Sequence, residues 1–244
     1  MLIVLLLPVT LVFDAPAVLA AGARRQDWGE RDFSDPFDSE PGVKEEETGL
    51  ISDPLEPVNR VTFAFNDKFY IYLMEPAVRG YESVTPRPLR RSIGNFFGNL
   101  KEPVNFVNAL LQGEGSSAHD AFGRFLLNST FGLGGLFDVA GEHLEPPAHD
   151  FNQTLACWGV GDGFYIVWPI LGSSSLRGTG SSGVDGFLNP LNYQEFEVAA
   201  GARVLDSLNT AGPYLREYKN LQRFALDPYI ALKDVFEKTS GCQK

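Results

Sequence analysis

The amino-acid sequence predicts a mostly α-helical protein built from many short helices. Two observations support this prediction. Apolar residues recur at helical spacing in several separate segments, and a capping residue or a proline stands before most of them. No long alternating strand and no internal repeat is visible along the 244 residues. A chain of this length suits one sizeable domain and is short for two full ones.

The first helix is expected to begin at Asp53, which can cap it. Pro54 fits the first turn and Glu56 stands at the capping-box position. The apolar residues that follow at helical spacing are Val58, Val61, Phe65, Phe69 and Tyr72. We expect the helix to stop at Glu75-Pro76. Other faces also carry apolar residues, so this helix is either deeply buried or partly in contact with lipid.

Proline and serine mark the starts of the next helices. Thr85-Pro86 predicts a second helix, Pro103 a third and shorter one, and Ser116 can cap a fourth. Glycine then dominates residues 131–141. We expect this stretch to interrupt the helices.

The C-terminal half is less regular. Residues 155–172 are ambiguous between a strand and a short buried helix, because a short apolar run fits both. Two further helices are predicted, at about 194–208 and about 227–238, the latter capped by Asp227.

The charge of the chain is concentrated near its start. The formal net charge is −11, from 20 basic and 31 acidic residues. Residues 24–56 carry four basic and eleven acidic residues, a net charge of −7, which leaves residues 57–244 at −3. We therefore interpret 24–52 as an acidic flexible tether. No nucleic-acid partner is expected, because binding phosphate backbones requires clustered Lys and Arg.

Residues 1–23 are predicted to be a signal peptide. Residues 1–13 form an uncharged apolar run, and small residues follow it. The run is shorter than the roughly 20 apolar residues that span a bilayer. The expected order is therefore signal peptide, tether, a helical domain at 53–238, and a tail at 239–244.

The two cysteines, Cys157 and Cys242, lie 85 positions apart. In an exported protein they could pair, and closing that loop would contribute about 4 kcal/mol in the chain-entropy model. The apolar surroundings of Cys157 favour a buried free thiol instead. The sequence leaves the pairing open, and neither cysteine has a partner at metal-site spacing.

No catalytic motif stands up to inspection. Residues 178–183 read GxGxxG, but Asn189-Pro190 follows closely, and we interpret the segment as a flexible polar loop rather than a dinucleotide site. The three histidines have no ligand pairs at helical spacing, and GxSxG is absent. The sequence therefore predicts no enzyme, no cofactor and no metal.

The placement of apolar and basic residues on the predicted helices is more informative about function than the short motifs are. The chain has 19 phenylalanines, and many of them lie on broad apolar helix faces. Arg87, Arg90 and Arg91 cluster at the start of the second helix, where they could contact lipid headgroups or a partner through charge-assisted hydrogen bonds. The alternative is a solvated basic helix end. Without a spanning segment, we expect helices that lie flat in the membrane plane.

Several blocks of sequence closely resemble the VacJ/MlaA family of Gram-negative outer-membrane proteins, and the resemblance covers about residues 52–238. The blocks are DPLEPVNRVTFAFND (53–67), IGNFFGNLKEPVNFVNALLQG (93–113), RFLLNSTFGLGGLFDVAG (124–141), GVGDGFYIVWPILGSSSLR (159–177) and LDPYIALKDVFE (226–237).

The resemblance implies a ring-like arrangement of short amphipathic helices around a channel, lying in the inner leaflet of the outer membrane. Family members associate with trimeric porins. They remove mislocalised phospholipid from the outer leaflet and pass it to a soluble periplasmic carrier of the MlaC type. Lipid asymmetry is thereby maintained, and no bond is made or broken.

The resemblance also suggests sites. Phe65 and Asn66 match a gating segment, and the glycines Gly132, Gly134 and Gly135 could flex near the channel. Family members usually carry a lipid on a cysteine just after the signal region, and residues 1–50 contain no cysteine. We therefore expect in-plane helices to hold the protein on the periplasmic side of the outer membrane.

Two other functions are compatible with parts of the sequence. A soluble periplasmic carrier of hydrophobic ligands would fit the missing anchor cysteine. A lipid hydrolase would need Ser and His residues near apolar segments to act together.

Overall fold

The computed structural model describes residues 51–146 and 148–242, and it is mostly helical, as predicted. The α-helices are α1 (Glu56–Phe69), α2 (Glu75–Val84), α3 (Arg87–Gln112), α4 (Gly115–Thr130), α5 (Phe151–Cys157), α6 (Leu176–Leu188), α7 (Phe196–Phe224) and α8 (Pro228–Ser240). A π-helical turn, Tyr70–Met74, joins α1 to α2, and 3-10 turns occur at Ala140–Glu142 and Pro190–Tyr193. The predicted signal peptide and most of the tether lie outside the described residues.

The ambiguous apolar run near residue 165 forms a strand. β1 (Tyr165–Trp168) pairs antiparallel with β2 (Gly172–Ser175), and Tyr165 lies opposite Ser175. The hairpin packs on α1, because the side chain of Asn59 donates to the carbonyl of Tyr165 at 3.0 Å and accepts from the amide of Val167 at 2.9 Å. The result is a small sheet inserted among helices.

The packed body is longer at both ends than the sequence suggested. Ile51 and Ser52, assigned to the tether, belong to it: Ile51 is buried, and the carbonyl of Ser52 accepts a hydrogen bond from the amide of Tyr165. The predicted tail is also ordered through Cys242, since α8 continues to Ser240. Contacts with distant segments extend both ends, from Tyr165 to Ser52 and from Arg177 to Ser240, and local composition does not reveal these contacts.

Asp53 does not cap α1, contrary to the prediction. Its carboxylate instead accepts hydrogen bonds from Asn59 at 2.8 Å and from the hydroxyl of Tyr229, and it lies 3.6 Å from the ammonium of Lys233. Glu56 begins the helix and pairs with Arg60. Tertiary partners therefore compete successfully for the capping side chain.

Proline did not end the helices where the pattern indicated. Pro76 lies in the first turn of α2, directly after the π-helical turn, where its missing N–H costs little. Pro103 lies inside α3, so the predicted second and third helices are one helix of 26 residues. Likewise α7 continues through Pro213 to Phe224, well beyond the predicted end near 208. Packing on both sides of each interior proline holds the helix together.

Two helix starts also differ from expectation. Glu114, not Ser116, precedes α4, and Ser116 lies in its first turn. Residues 178–183 are not a flexible loop but part of α6, which Ser175 caps by accepting from the amide of Gly178 at 3.0 Å. The cap on Asp227 is confirmed, with its side chain accepting from the amides of Tyr229 and Ile230.

Cys157 and Cys242 form a disulfide, so the free thiol favoured for Cys157 is wrong. The buried guanidinium of Arg177 helps to bring the two cysteines together. It donates to the carbonyl of Ser240 at 2.5 Å and to the side-chain oxygen of Asn152 in α5 at 2.8 Å, which places the end of α8 beside α5. The separation of 85 residues along the sequence does not indicate that this long-range packing occurs.

Two aromatic clusters form the apolar core. One contains the buried residues Ile51, Tyr165, Val167, Tyr229 and Phe236. The other contains Tyr70, Val78, Ala211, Leu215 and Tyr218. The half-buried ring of Phe63 packs against both, so α1 connects the hairpin and α8 to α2 and α7.

Candidate functional site

Polar side chains recur along one face of α3 over its whole length. The members, three or four residues apart, are Arg87, Arg91, Asn95, Asn99, Glu102, Asn105, Asn108 and Gln112. This spacing keeps them on one side of a helix. Asn99, Glu102 and Asn108 are buried, whereas Leu89, Leu110 and Leu111 are exposed. The middle of the polar face of α3 therefore points into the protein, whereas Arg87 and Arg91 at its start are exposed.

The first turns of this polar face line a cavity of about 750 Å³. Arg87, Arg91 and Asn95 contribute polar groups from α3, together with Pro88 and Ser92. The opposite wall is the segment after the glycine-rich stretch, and its lining residues are Leu136, Phe137, Asp138, Val139, Gly141 and Glu142. Two features predicted separately, the basic helix start and the end of the glycine-rich stretch, thus face each other across one cavity.

Arg90 does not join its two neighbours at the cavity. Its guanidinium pairs with Glu82 at 2.5 Å, and its backbone carbonyl accepts from the side chain of Asn209 at 3.1 Å. Arg90 therefore links α3 to α2 and α7. Arg87 and Arg91 have no ion-pair partner among the described residues, and so their charges face the cavity uncompensated.

The glycines of 132–135 differ in their surroundings. Gly134 and Gly135 have φ of 73° and 95°, a region that favours glycine. Gly132 and Gly135 are buried, and a Cβ on Gly135 would lie 2.6 Å from the Cβ of Asn99. Only Gly134 of these three faces open space. Tight packing of two glycines thus fixes how the stretch leaves α4 and reaches the cavity wall.

A buried charge network lies behind that wall. Arg124 of α4 donates to Glu102 at 3.0 Å, to Asp138 at 3.2 Å and to the carbonyl of Leu144 at 3.0 Å. Burial raises the pKa of Glu102, against the opposing effect of hydrogen bonds from Asn105 and Arg124. Asn128 donates to Asp138 at 3.0 Å. The network fastens the wall to α3 and α4.

Phe65 and Asn66 lie on α1 and do not line this cavity. Asn66 is buried, and its amide group holds the β1–β2 turn through the backbone of Trp168 and Ile170. Phe65 is exposed and stacks on Phe69, with ring centroids 6.3 Å apart. The structure therefore separates the predicted gating pair from the predicted arginine and glycine sites.

Several helices expose apolar residues and bury polar ones, which is the reverse of the usual arrangement in a water-soluble protein. On α1, Val61 is 72% exposed while Asn59 and Asn66 are each 2% exposed. On α4, Phe122 and Leu126 are exposed while Arg124 is buried. Other exposed large apolar side chains include Tyr72, Val84, Phe131, Leu133, Phe187, Phe196 and Phe224. Where such side chains lie together, they form surfaces that suit contact with another protein or with lipid.

Two further findings bear on membrane and metal chemistry. In the part of the chain that the structure describes, no helix is both long enough and apolar enough to cross a bilayer. Nor does any group of three or more His, Cys, Asp or Glu side chains within 51–146 and 148–242 come together as a possible metal site.

Sequence reasoning missed Asn95, Glu102, Arg124 and Glu142 as parts of the site. The four-residue spacing of Arg87, Arg91, Asn95 and Asn99 was a signal that could have revealed the polar face of α3. Glu142 carried no comparable signal, because only the fold of residues 132–142 brings it to the cavity.

Comparison with known proteins shows consistent similarity. Residues 51–242 match the family model described as "MlaA lipoprotein". The "Intermembrane phospholipid transport system lipoprotein MlaA" of Escherichia coli (strain K12) is 36% identical over 192 residues, which cover 76% of this chain and 75% of that protein. The Haemophilus influenzae protein of the same name is 32% identical over 192 residues, with 76% of each chain covered.

A solved structure described as "Structural basis for maintenance of bacterial outer membrane lipid asymmetry" is also similar. It is 36% identical in sequence and superposes with a TM-score of 0.70. The match covers 78% of this chain and 97% of that one.

Proposed function

Because this chain belongs to the MlaA lipoprotein family, we propose that it takes part in intermembrane phospholipid transport. In this proposal it removes mislocalised phospholipid from the outer leaflet of the outer membrane and so maintains lipid asymmetry. The lipid passes through an amphipathic channel to a soluble periplasmic carrier of the MlaC type. The protein acts as a conduit, and no bond of the lipid is made or broken.

The observation that carries the proposal is the inverted placement of polar and apolar residues. Exposed side chains such as Val61 and Phe122 suit contact with acyl chains, which offer no hydrogen bonds. Buried polar residues such as Asn66 and Arg124 keep their hydrogen-bond partners inside the protein. A phospholipid has the same two characters, so a body of this kind can contact the acyl region outside and offer polar groups inside.

The inward polar face of α3 supports a polar path for headgroups. It begins at the cavity with Arg87 and Arg91, and further along the helix Asn108 meets Asp185 and Thr154. We propose that the helices surround the path as a ring in the membrane plane. The absence of a spanning helix among the described residues is compatible with that placement.

The partners and the location follow from the same proposal. An outer-membrane porin trimer would hold the ring on the periplasmic side, since exposed aromatic residues such as Phe131 and Phe187 offer apolar contact area. The soluble carrier would receive the lipid at the periplasmic face.

We further propose that Phe65 and Asn66 control opening through the β-hairpin. Asn66 holds the turn of that hairpin, and Phe65 next to it is exposed. A shift of α1 would therefore move the hairpin together with an exposed aromatic ring. Gly134, which faces open space, is the corresponding point of flexibility in the glycine-rich stretch.

Deletion of the gene in its native host tests the proposal. We expect more phospholipid in the outer leaflet of the outer membrane, measured with a headgroup-reactive reagent that does not cross the membrane. Complementation with the full chain should reverse the increase. The protein should also stay with outer membranes through a carbonate wash. Unchanged leaflet composition in the deletion strain would disprove the transport function.

Release of the protein by osmotic shock would instead favour a soluble carrier. Lipid turnover by the purified protein, abolished by one Ser or His substitution, would favour a hydrolase. Both outcomes contradict the proposal.

A further inference from the structure

We propose that the cavity between α3 and residues 136–142 binds a zwitterionic phospholipid headgroup that carries a primary amine. Arg87 and Arg91 hold the phosphate, and Glu142 holds the ammonium group. This inference rests on the proposed function and names the substrate class of its channel.

The two arginines are available to a ligand. Both line the cavity, and neither guanidinium group forms an ion pair or hydrogen bond with another described residue. Three other arginines are already paired with a carboxylate: Arg90 with Glu82, Arg124 with Glu102, and Arg177 with Asp162. Uncompensated guanidinium groups in a concave site suit an anion.

The geometry of the helix start favours a phosphate. Arg87 and Arg91 are four residues apart on α3, so their side chains leave the same face of the helix. Guanidinium groups bind phosphate oxygens through paired hydrogen bonds. In addition, α3 begins at Arg87 without a side-chain cap, so the backbone N–H groups of Arg87 and Leu89 can add positive partial charge there, while Pro88 has no N–H and Arg90 donates to Pro86.

The opposite wall contains two carboxylates: Asp138 has an ion-pair partner, and Glu142 has none among the described residues. Asp138 pairs with Arg124 at 3.1 Å and accepts from Asn128. Glu142 lines the same cavity, is exposed, and has no partner among the described residues. A headgroup ammonium would pair with Glu142, whereas a headgroup without an amine would leave this carboxylate unpaired beside the phosphate.

Three large apolar residues of the opposite wall suit the lipid beyond its headgroup. Leu136, Phe137 and Val139 are exposed large apolar residues on the same wall. A volume of about 750 Å³ lies within the range of about 300–1,000 Å³ typical of small-molecule sites. The cavity thus offers positive, negative and apolar surfaces in one place.

Competition between two lipids tests this assignment. The full chain, purified in detergent, is incubated with equal amounts of phosphatidylethanolamine and phosphatidylglycerol, and bound lipids are counted by native mass spectrometry. We expect the wild-type protein to retain mainly phosphatidylethanolamine. Glu142→Gln should lower the ethanolamine-to-glycerol ratio by up to about 5-fold, the size expected for one exposed ion pair.

The arginine variants have a different expected result. Arg87→Gln combined with Arg91→Gln should reduce retention of both lipids, since both contain the phosphate. Arg223→Gln is the matched control, because Arg223 is an exposed arginine near the end of α7 and does not line the cavity. Its lipid retention should equal that of the wild type. Circular dichroism should show the same helix content in every variant.

An unchanged lipid ratio in Glu142→Gln overturns the inference, as does a wild-type protein that retains both lipids equally or neither. If the wild type still restores lipid asymmetry in the deletion strain, the transport function stands without this site. If the ratio changes as expected but the wild type does not restore asymmetry, the headgroup site stands and the transport function fails.

Discussion

The side-chain oxygen of Asn66 accepts a hydrogen bond from the backbone N–H of Ile170 at 2.6 Å. The Asn66 amide also donates to the carbonyl of Trp168 at 2.9 Å, and the hydroxyl of Tyr70 donates to the carbonyl of Ile170 at 2.7 Å. Ile170 has φ of 70°, which is rare for a β-branched residue. Two residues of the first helical segment therefore hold a strained turn 100 positions away.

Replacing Asn66 by alanine removes both contacts to this turn. We expect Asn66→Ala to lower the free energy of unfolding by about 1–3 kcal/mol, because two backbone groups lose their partners. Phe65→Ala is the matched control and should change it by less than about 1 kcal/mol, because the ring is exposed. Denaturant titration in detergent measures both. Equal losses in the two variants would contradict the structural role of Asn66.

Arg124→Met tests the buried charge network. Glu102 and Asp138 would lose their shared guanidinium, and removal of one partner from a buried ion pair costs about 3–5 kcal/mol. Arg79→Met removes an exposed pair with Glu75 and should cost less than about 1 kcal/mol. The same titration measures both variants. A decrease of less than about 1 kcal/mol in the free energy of unfolding of Arg124→Met would contradict the burial of this network and would mean that water enters it.

Two adjacent glycines provide a second matched pair. Gly134→Ala adds a Cβ in open space, so only the positive φ opposes it, at about 1–2 kcal/mol. Gly135→Ala has the same backbone difficulty and also crowds Asn99, so it should cost about 1–3 kcal/mol more. Thermal unfolding followed by circular dichroism distinguishes the two. Equal shifts of the two midpoints would argue against close packing at Gly135.

The pair of Glu75 and Lys219 should make stability depend on pH. A hydrogen bond of 2.6 Å from Lys219 holds the pKa of Glu75 below its ordinary value of 4.5, and Arg79 adds to the effect against partial burial. Since the folded pKa is the lower one, the stabilisation is fully present above about pH 4.5 and is lost as pH falls through the folded pKa.

Glu75→Gln should therefore be less stable than the wild type at neutral pH by up to about 1 kcal/mol, as expected for a partly exposed pair. The difference should shrink below about pH 4. Thermal midpoints across this pH range measure it. A difference that stays constant with pH would exclude Glu75 as the titrating group.

The disulfide between Cys157 and Cys242 closes a long loop and should stabilise the folded chain. Reduction should lower the free energy of unfolding by about 2–4 kcal/mol. A variant with both Cys157→Ser and Cys242→Ser should have the lower stability from the start and should not respond to reductant. A reductant effect on that variant would show that the loss comes from elsewhere.

The local sequence pattern predicted most of the helices, but it did not predict where individual helices begin and end. Pro76 was interpreted as a helix stop and Pro103 as the start of a separate helix, because proline lacks a backbone donor. In the folded chain, Asn99 bonds to Ser129 and Asn108 to Asp185, one on each side of Pro103. These contacts depend on residues far along the chain, and no local pattern contains them.

The sequence predicted several residues of the candidate site separately, but it did not predict that they meet. Arg87 and Arg91 were proposed from their charge, and the glycine-rich stretch from a family resemblance, but their meeting at one cavity depends on how α4 folds back on α3. Glu142 follows that return and so could not be identified beforehand. The grouping of Arg90 with its neighbours was misleading, because a rotation of 100° per residue turns it toward Glu82 instead.

The backbone amide of Ile51 donates to the carboxylate of Glu237 at 3.1 Å, so the body starts beside its last helix. Ser52 and the last turns of α8 therefore lie at the same corner of the molecule. Dyes attached at Ser52 and Lys238, which are both exposed, would report strong energy transfer in the folded protein. Unfolding would separate these two positions, which are far apart along the chain, and would abolish that signal.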